Sequence, residues 1–313
     1  MTQEIGSSYV RSRRSGDSVG SVWGPPNGGP GRPRYRFRGQ VREGEEVERA
    51  PSDEHGRYNE MAVTEYVDEI YSNLRMKETE LAPPVNYMTQ QDDINEKMRA
   101  ILIDWLVEVH LKFKLRHETL FLTVNILDRF LAVQKVNRQR LQLVGVVSLM
   151  IAAKYEEIYP PEVRDYVYIC DNAYSREQII QMEQTILAKL NFRLTVPTPR
   201  SFLKRFCKAA QGDSRLLLLI SYLLELSLVD YSFLKYKPSL LCAAATSLSL
   251  QLTNRPAWSP TLAKHTRYVE ADLLKATEDL KALHAAASSG QHKAVHKKYS
   301  SSRFHSVASI GSS

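Results

Sequence analysis

The stretch MRAILIDWLVE, residues 98–108, carries more apolar surface than one core-facing helix side requires. Within a helix predicted over 95–115, Leu102, Leu106, Val109 and Phe113 recur at i, i+4, i+7 and i+11, a stripe sufficient to anchor the helix to a core. Met98, Ile101 and Trp105 form a second stripe, and Glu108 extends it by one turn. Either the helix is buried on two sides, or it offers a half-exposed apolar groove with an acidic rim. An adaptable methionine and a flat indole beside a carboxylate suit a short peptide bearing a hydrophobe and a cation.

Outward from that stretch, the apolar spacing stays helical. An amphipathic helix is predicted from Met61, Val63, Tyr66, Val67, Ile70, Tyr71 and Leu74, ending before Pro83-Pro84. Helices are then expected over 95–115, 118–133, 138–157, 162–169 and 176–190. Ser175 and Gln178 lie at capping-box spacing, and Pro160-Pro161 stops the third helix. After the connector 195–199, a second set is expected over 199–210, 214–228, 238–252, 260–266 and 271–286. Thr198 and Ser259 would be N-caps, each with proline at the first helical position.

The third helix of each set is rich in small residues: Gly145, Ser148, Ala152 and Ala153 in one, Ala243, Ala244, Ala245 and Ser247 in the other. A helix surrounded by others needs small side chains so that backbones can approach. The reading is an all-α chain of two tandem five-helix units at 94–196 and 197–286. A helix and linker precede them at 58–93, a disordered segment occupies 1–57, and a tail occupies 287–313.

Composition narrows the function. The net charge of +7 is concentrated in the ends, +2 in residues 1–57 and +4 in 284–313, leaving about +1 for the folded middle. No phosphate-binding face is implied, so nucleic acid is not expected as the primary partner. The Gly/Pro/Arg/Ser-rich segment 1–57 has too few aliphatic residues to offset ordering entropy. Its cluster Arg11-Ser12-Arg13-Arg14 reads as a solvated charge run or a nuclear-import signal. No apolar run is long enough to span a membrane, and the first residues lack a secretory core segment. Cys170, Cys207 and Cys242 are scattered in apolar stretches and read as buried thiols rather than disulfide or zinc ligands.

Catalytic patterns are missing. His117-Glu118 lacks a second histidine at zincin spacing, and there is no GxxxxGK[ST], GxGxxG or GxSxG. The adjacent pairs Glu156-Glu157 and Asp92-Asp93 read as solvated or capping carboxylates. No enzyme activity, cofactor or metal is expected.

The motifs together resemble the cyclin family. MRAILIDWLVEVH is similar to the signature cyclin helix, and it is followed in order by LFLTVNILDRFL (120–131), LQLVGVVSLMIAAKYEEIYPPEV (141–163) and DNAYSREQIIQMEQTILAKLNFRLTVPTP (171–199). The resemblance spans roughly 60–300, with N- and C-terminal cyclin boxes. DNAYSREQ, TVPTP and VHKKYSSS look like the B-type, mitotic subgroup; the A type is the nearest alternative. Initiation factors with cyclin-like repeats would bring a zinc ribbon and a basic DNA-facing surface, and neither is present.

The resemblance implies a non-catalytic subunit that binds and activates a cyclin-dependent kinase at the G2/M transition, in nucleus and cytoplasm. Met98, Ile101, Trp105, Glu108, Leu141 and Gln142 match the patch that binds Arg-x-Leu motifs of substrates and inhibitors, in a groove between the first and third helices of the first box. Lys154 and Glu183 match the pair that contacts the kinase's mobile helix. Arg99 and Asp128 match a pair read as internal scaffolding.

Residues 1–57 contain no RxxL or KEN destruction motif, which puts timed proteolysis in doubt for the sequence as given. RxxL strings at 99–102, 138–141 and 200–203 fall in predicted helices and are expected to be inaccessible. The basic tail is expected to be flexible, with at most VHKKYSSS packing as a short extension.

Overall fold

The computed structural model describes residues 66–311, and within them every regular element is helical. The expectations for 1–57, including the basic cluster and disorder, lie outside the described residues. So do the first residues, 61–65, of the predicted leading helix.

Helix α1 (Val67–Glu80) precedes a first bundle of five. These are α2 (Glu96–Phe113), α3 (His117–Val133), α4 (Arg138–Glu156), α5 (Val163–Ile169) and α6 (Arg176–Lys189). The second bundle comprises α7 (Pro199–Ala209), α8 (Ser214–Val229), α9 (Pro238–Leu252), α10 (Pro260–Thr266) and α11 (Glu270–Ala286).

Helices α4 and α9 are the centres of their bundles: α4 packs against α2, α3, α5 and α6, and α9 against α7, α8 and α11. Gly145 shows why small residues are needed there. A Cβ on it would lie 2.7 Å from Leu102 Cδ1 of α2, inside van der Waals contact.

Helix starts follow the local chemistry. Asn95, Asn137, Ser175, Asp213 and Ser259 each accept a hydrogen bond from a backbone N–H of the first turn. One member of each carboxylate pair caps a helix. Glu157 accepts from the Arg116 N–H at 2.8 Å beside the start of α3, and Asp93 accepts from the Arg138 N–H at 2.8 Å at the start of α4. All three cysteines are buried and unpaired.

Helix α1 docks on the second bundle. Its Glu78 is buried and accepts from the Ser239 N–H and hydroxyl at 2.8 and 2.7 Å, capping α9. Arg75 donates to Ser239 and Thr266 while stacking over Tyr268.

The tail packs as the short extension expected of VHKKYSSS and continues beyond it. Residues 294–299 form α12 (Ala294–Tyr299), which packs on α2 and α8, and two short 3-10 turns follow against α8 and α12. Val295, Lys298, Tyr299, Phe304, Val307 and Ala308 are all buried. The tail reads as basic and flexible because its partner is remote: the Lys298 charge is matched by Glu225 in the middle of α8. Apolar residues spaced through a polar background then close the contact.

Candidate functional site

Two surfaces of the first bundle and one buried brace hold the residues that the sequence singled out. The first surface lies at the end of α4. Lys154 Nζ meets Glu183 Oε1 of α6 at 2.6 Å, with Lys154 exposed and Glu183 half-buried. Opposite charges on separate helices are thus paired at the surface, where water keeps the bond weak and exchangeable.

The same region displays apolar side chains that the sequence reading did not select. Ile158 is 83% exposed and Tyr159 90%, just beyond the end of α4, and Tyr155 is exposed beside Lys154. The Tyr155 hydroxyl meets Thr195 Oγ1 at 2.6 Å, linking the end of α4 to the connector. Phe192 is exposed three residues before Thr195. Large apolar groups grouped at a surface mark a contact for another molecule. One sequence signal existed: in YEEIYPP the apolar residues fall after the buried α4 stripe ends and before prolines that forbid further helix.

The second surface is the α2–α4 seam. The two helices pack together, with Gly145 of α4 against Leu102 of α2. Met98, Ile101 and Gln142 are half-buried and Glu108 is exposed. Trp105, however, is only 8% exposed and Leu141 only 1%. Trp105 and Leu141 are therefore core residues rather than exposed members of a patch, and the accessible part of the stripe is Met98, Ile101, Gln142 and Glu108. Helix α2 is buried on several sides because α3, α4, α8 and α12 all pack on it. Asp104, on the same helix, accepts from the Ala294 N–H at 2.9 Å and so holds the start of α12.

The brace is Arg99 and Asp128. Arg99 Nε and Nη2 lie 2.6 and 2.7 Å from the two oxygens of Asp128, and the Tyr87 hydroxyl donates to Asp128 at 2.7 Å. Arg99 Nη1 donates to the Leu228 carbonyl at 3.1 Å, crossing into the second bundle. Burial weakens the Arg99 charge, but the Asp128 anion more than compensates and the guanidinium stays protonated.

A second buried polar cluster was not legible in the sequence. Glu225 of α8 accepts from His117 Nδ1 of α3 at 2.7 Å, from Lys298 Nζ at 2.8 Å and from the Tyr299 hydroxyl at 2.7 Å. Burial alone would raise the carboxyl pKa; Lys298 and His117 outweigh it and hold Glu225 well below the usual range. Nearby His110 is pushed down to about 3 by burial, with the Lys298 charge adding to the effect. Among the described residues no group of three His, Cys, Asp or Glu side chains could hold a metal ion, and no helix is long and apolar enough to cross a membrane. The RxxL strings are folded into helices, with Leu102, Leu141 and Leu203 buried.

Comparison with known proteins agrees with this architecture. Residues 69–195 match the family model of the cyclin N-terminal domain and 197–313 that of the cyclin C-terminal domain. The chain is 51% identical over 247 residues to Cyclin-B2-1 of Oryza sativa subsp. japonica, covering 79% of this chain and 59% of that protein. It is 48% identical to Cyclin-B2-1 of Arabidopsis thaliana, covering 80% and 58%. It is 47% identical to the G2/mitotic-specific cyclin-1 of Medicago sativa subsp. varia, covering 78% and 57%. The chain thus spans less than two thirds of the length of these curated relatives. Among solved structures, a viral cyclin from herpesvirus saimiri superposes with a TM-score of 0.63 at 21% identity, over 68% of this chain and 96% of that one. That likeness is one of fold.

Proposed function

The chain belongs to the cyclin family, with B-type cyclins as its curated relatives, and on that premise we infer that it is a non-catalytic subunit that activates a cyclin-dependent Ser/Thr kinase at the G2/M transition. The observation that carries this reading is the surface Lys154–Glu183 pair, its lysine exposed, beside the exposed apolar groups Tyr155, Ile158, Tyr159 and Phe192. This surface combines exchangeable charge with large apolar area, the composition of a protein contact. On binding, Lys154 and Glu183 trade their mutual bond for hydrogen bonds to the kinase's mobile helix, fixing its orientation. The apolar side chains supply the buried area.

Activation then needs no bond chemistry from this chain. A surface that binds the active arrangement of the kinase better than the inactive one shifts the population toward it. In that arrangement the kinase's strand lysine pairs with its helix glutamate and the activation loop is ordered. The α2–α4 seam would act separately. Met98, Ile101 and Gln142 over a floor of Trp105 and Leu141 would take the leucine of an Arg-x-Leu motif, and Glu108 its arginine. A second contact away from the kinase cleft raises the effective substrate concentration. We place this activity in both nucleus and cytoplasm.

The test is a pull-down with the recombinant chain, identification of the retained kinase, and an activity assay with and without an Arg-x-Leu substrate. Kinase retention and activation by the intact chain, lost in Lys154→Ala/Glu183→Ala, are expected. Retention of no kinase, or salt-sensitive retention of DNA instead, would overturn the reading.

A further inference from the structure

We propose that residues 294–310 form a latch that fastens α2, the helix bearing the docking stripe, to the second bundle, and that Lys298 is its positioning residue. The docking consequence rests on the reading of the α2–α4 seam given above; the latch itself rests on the following geometry.

The latch is fixed by polar contacts at two points. At one end Asp104 of α2 accepts from the Ala294 N–H at 2.9 Å, capping α12. Asp104 stands three residues from Ile101 and four from Glu108, so it lies on the same side of α2 as the stripe. Four residues further on, Lys298 Nζ lies 2.9 and 2.8 Å from the two oxygens of Glu225, which is fully buried. The same carboxylate accepts from His117 of the first bundle. One anion therefore gathers three parts of the chain: the first bundle through His117, the second through α8, and the tail through Lys298 and Tyr299. His110 on α2 also faces this anion, and Arg200 of α7 faces Tyr299.

Beyond Lys298 the segment is held by aromatic packing and one further hydrogen bond. Tyr299 packs against Tyr222 and Phe304 at ring separations of 5.4 and 4.9 Å, and His284 Nε2 donates to the Ile310 carbonyl at 2.8 Å. Helix α12 has only six residues and is too short to persist undocked. The link to α11 runs through exposed Ser288, Ser289 and Gln291, so the segment can leave without breaking any other helix. These are the properties of a two-state element with a separable ligand in cis.

Lys298 decides the balance. Without it Glu225 keeps one nitrogen donor, His117, and a buried anion stripped of its main partner is strongly disfavoured. Removing both charges avoids that penalty.

The experiment uses the full chain carrying a protease recognition sequence inserted between Ser289 and Gln291 and cut after folding. Tail retention is read by gel filtration with mass spectrometry, and docking by anisotropy of a fluorescent Arg-x-Leu peptide. The nicked parent should keep its tail and bind the peptide. Nicked Lys298→Met should hold the tail at least about a hundredfold more weakly and lose several-fold in peptide affinity, although no stripe residue has changed. Nicked Glu225→Gln/Lys298→Met should recover most of both. Equal tail retention in the parent and Lys298→Met overturns the latch, and loss of the tail with unchanged peptide affinity overturns its link to docking. An intact chain that keeps its tail but ignores the peptide overturns the docking reading alone.

Discussion

Arg99 of α2 grips both oxygens of Asp128 of α3, at 2.6 and 2.7 Å, while its third nitrogen reaches the Leu228 carbonyl at the end of α8. One side chain therefore braces two helices of the first bundle and the last turn of a helix in the second. Arg99→Met leaves a buried carboxylate held only by the Tyr87 hydroxyl and should cost about 3–5 kcal/mol of unfolding free energy. Denaturant unfolding measures it, and a loss under about 1 kcal/mol would show that the brace is dispensable.

The Lys154–Glu183 pair should behave in the opposite way. It is solvated, so Lys154→Ala should cost no more than about 1 kcal/mol of stability while abolishing kinase retention. The exchanged pair Lys154→Glu/Glu183→Lys would restore the bridge but not the binding, because the partner's complementary groups would then face like charges. Recovery of kinase binding in the exchanged variant would mean that only the bridge matters.

Trp105 is a poor probe of docking. Its indole is a core element, so Trp105→Ala should lose about 3–5 kcal/mol of stability and blur any binding effect. Glu108→Gln is the clean test. It should alter stability by no more than about 0.5 kcal/mol, weaken Arg-x-Leu peptide binding several-fold, and flatten its dependence on salt.

Acid should destabilise the chain in two stages. The His110 imidazole resists protonation in the fold until about pH 3, whereas in the unfolded chain it gains a proton near 6.5. Between those values the unfolded state binds more protons, so stability falls with pH by up to about 1.4 kcal/mol per unit. Glu225, held low in the fold, adds to the loss below its unfolded value of about 4.3. His110→Gln removes the first stage, and its stability difference between pH 7 and pH 5 should be smaller than the parent's by about 2 kcal/mol. Parallel profiles would show that His110 titrates normally.

Gly145→Ala should destabilise despite alanine's better helix propensity. The propensity gain is at most about 1 kcal/mol, and overpacking against Leu102 should cost about 1–3 kcal/mol. A thermal scan decides the sign.

The helices and their order were legible in the sequence because each rests on local information: a 3.6-residue period, an N-cap, a proline. Helices α2 through α11 fall within a residue or two of their predicted ends, and Gly145 and the alanines of α9 marked the two central helices. The residue pairs needed more. Lys154 and Glu183 entered through family resemblance, since by spacing each is an ordinary surface charge. The pairing of Arg99 with Asp128 was likewise implied by the resemblance, whereas the reach of Arg99 to α8 has no local signature.

MRAILIDWLVE thus determined by itself that a helix forms there and that its apolar surface exceeds one core face. What that surplus does was decided only by tertiary packing. Neighbouring helices bury Trp105 and leave Met98, Ile101 and Glu108 accessible, and Asp104 becomes the cap of α12. The tail carries the same lesson: its composition predicted a flexible basic end, and a single buried carboxylate 73 residues away made it part of the fold. Periodicity reports how a segment presents itself, whereas burial of a charge depends on which distant group can neutralise it.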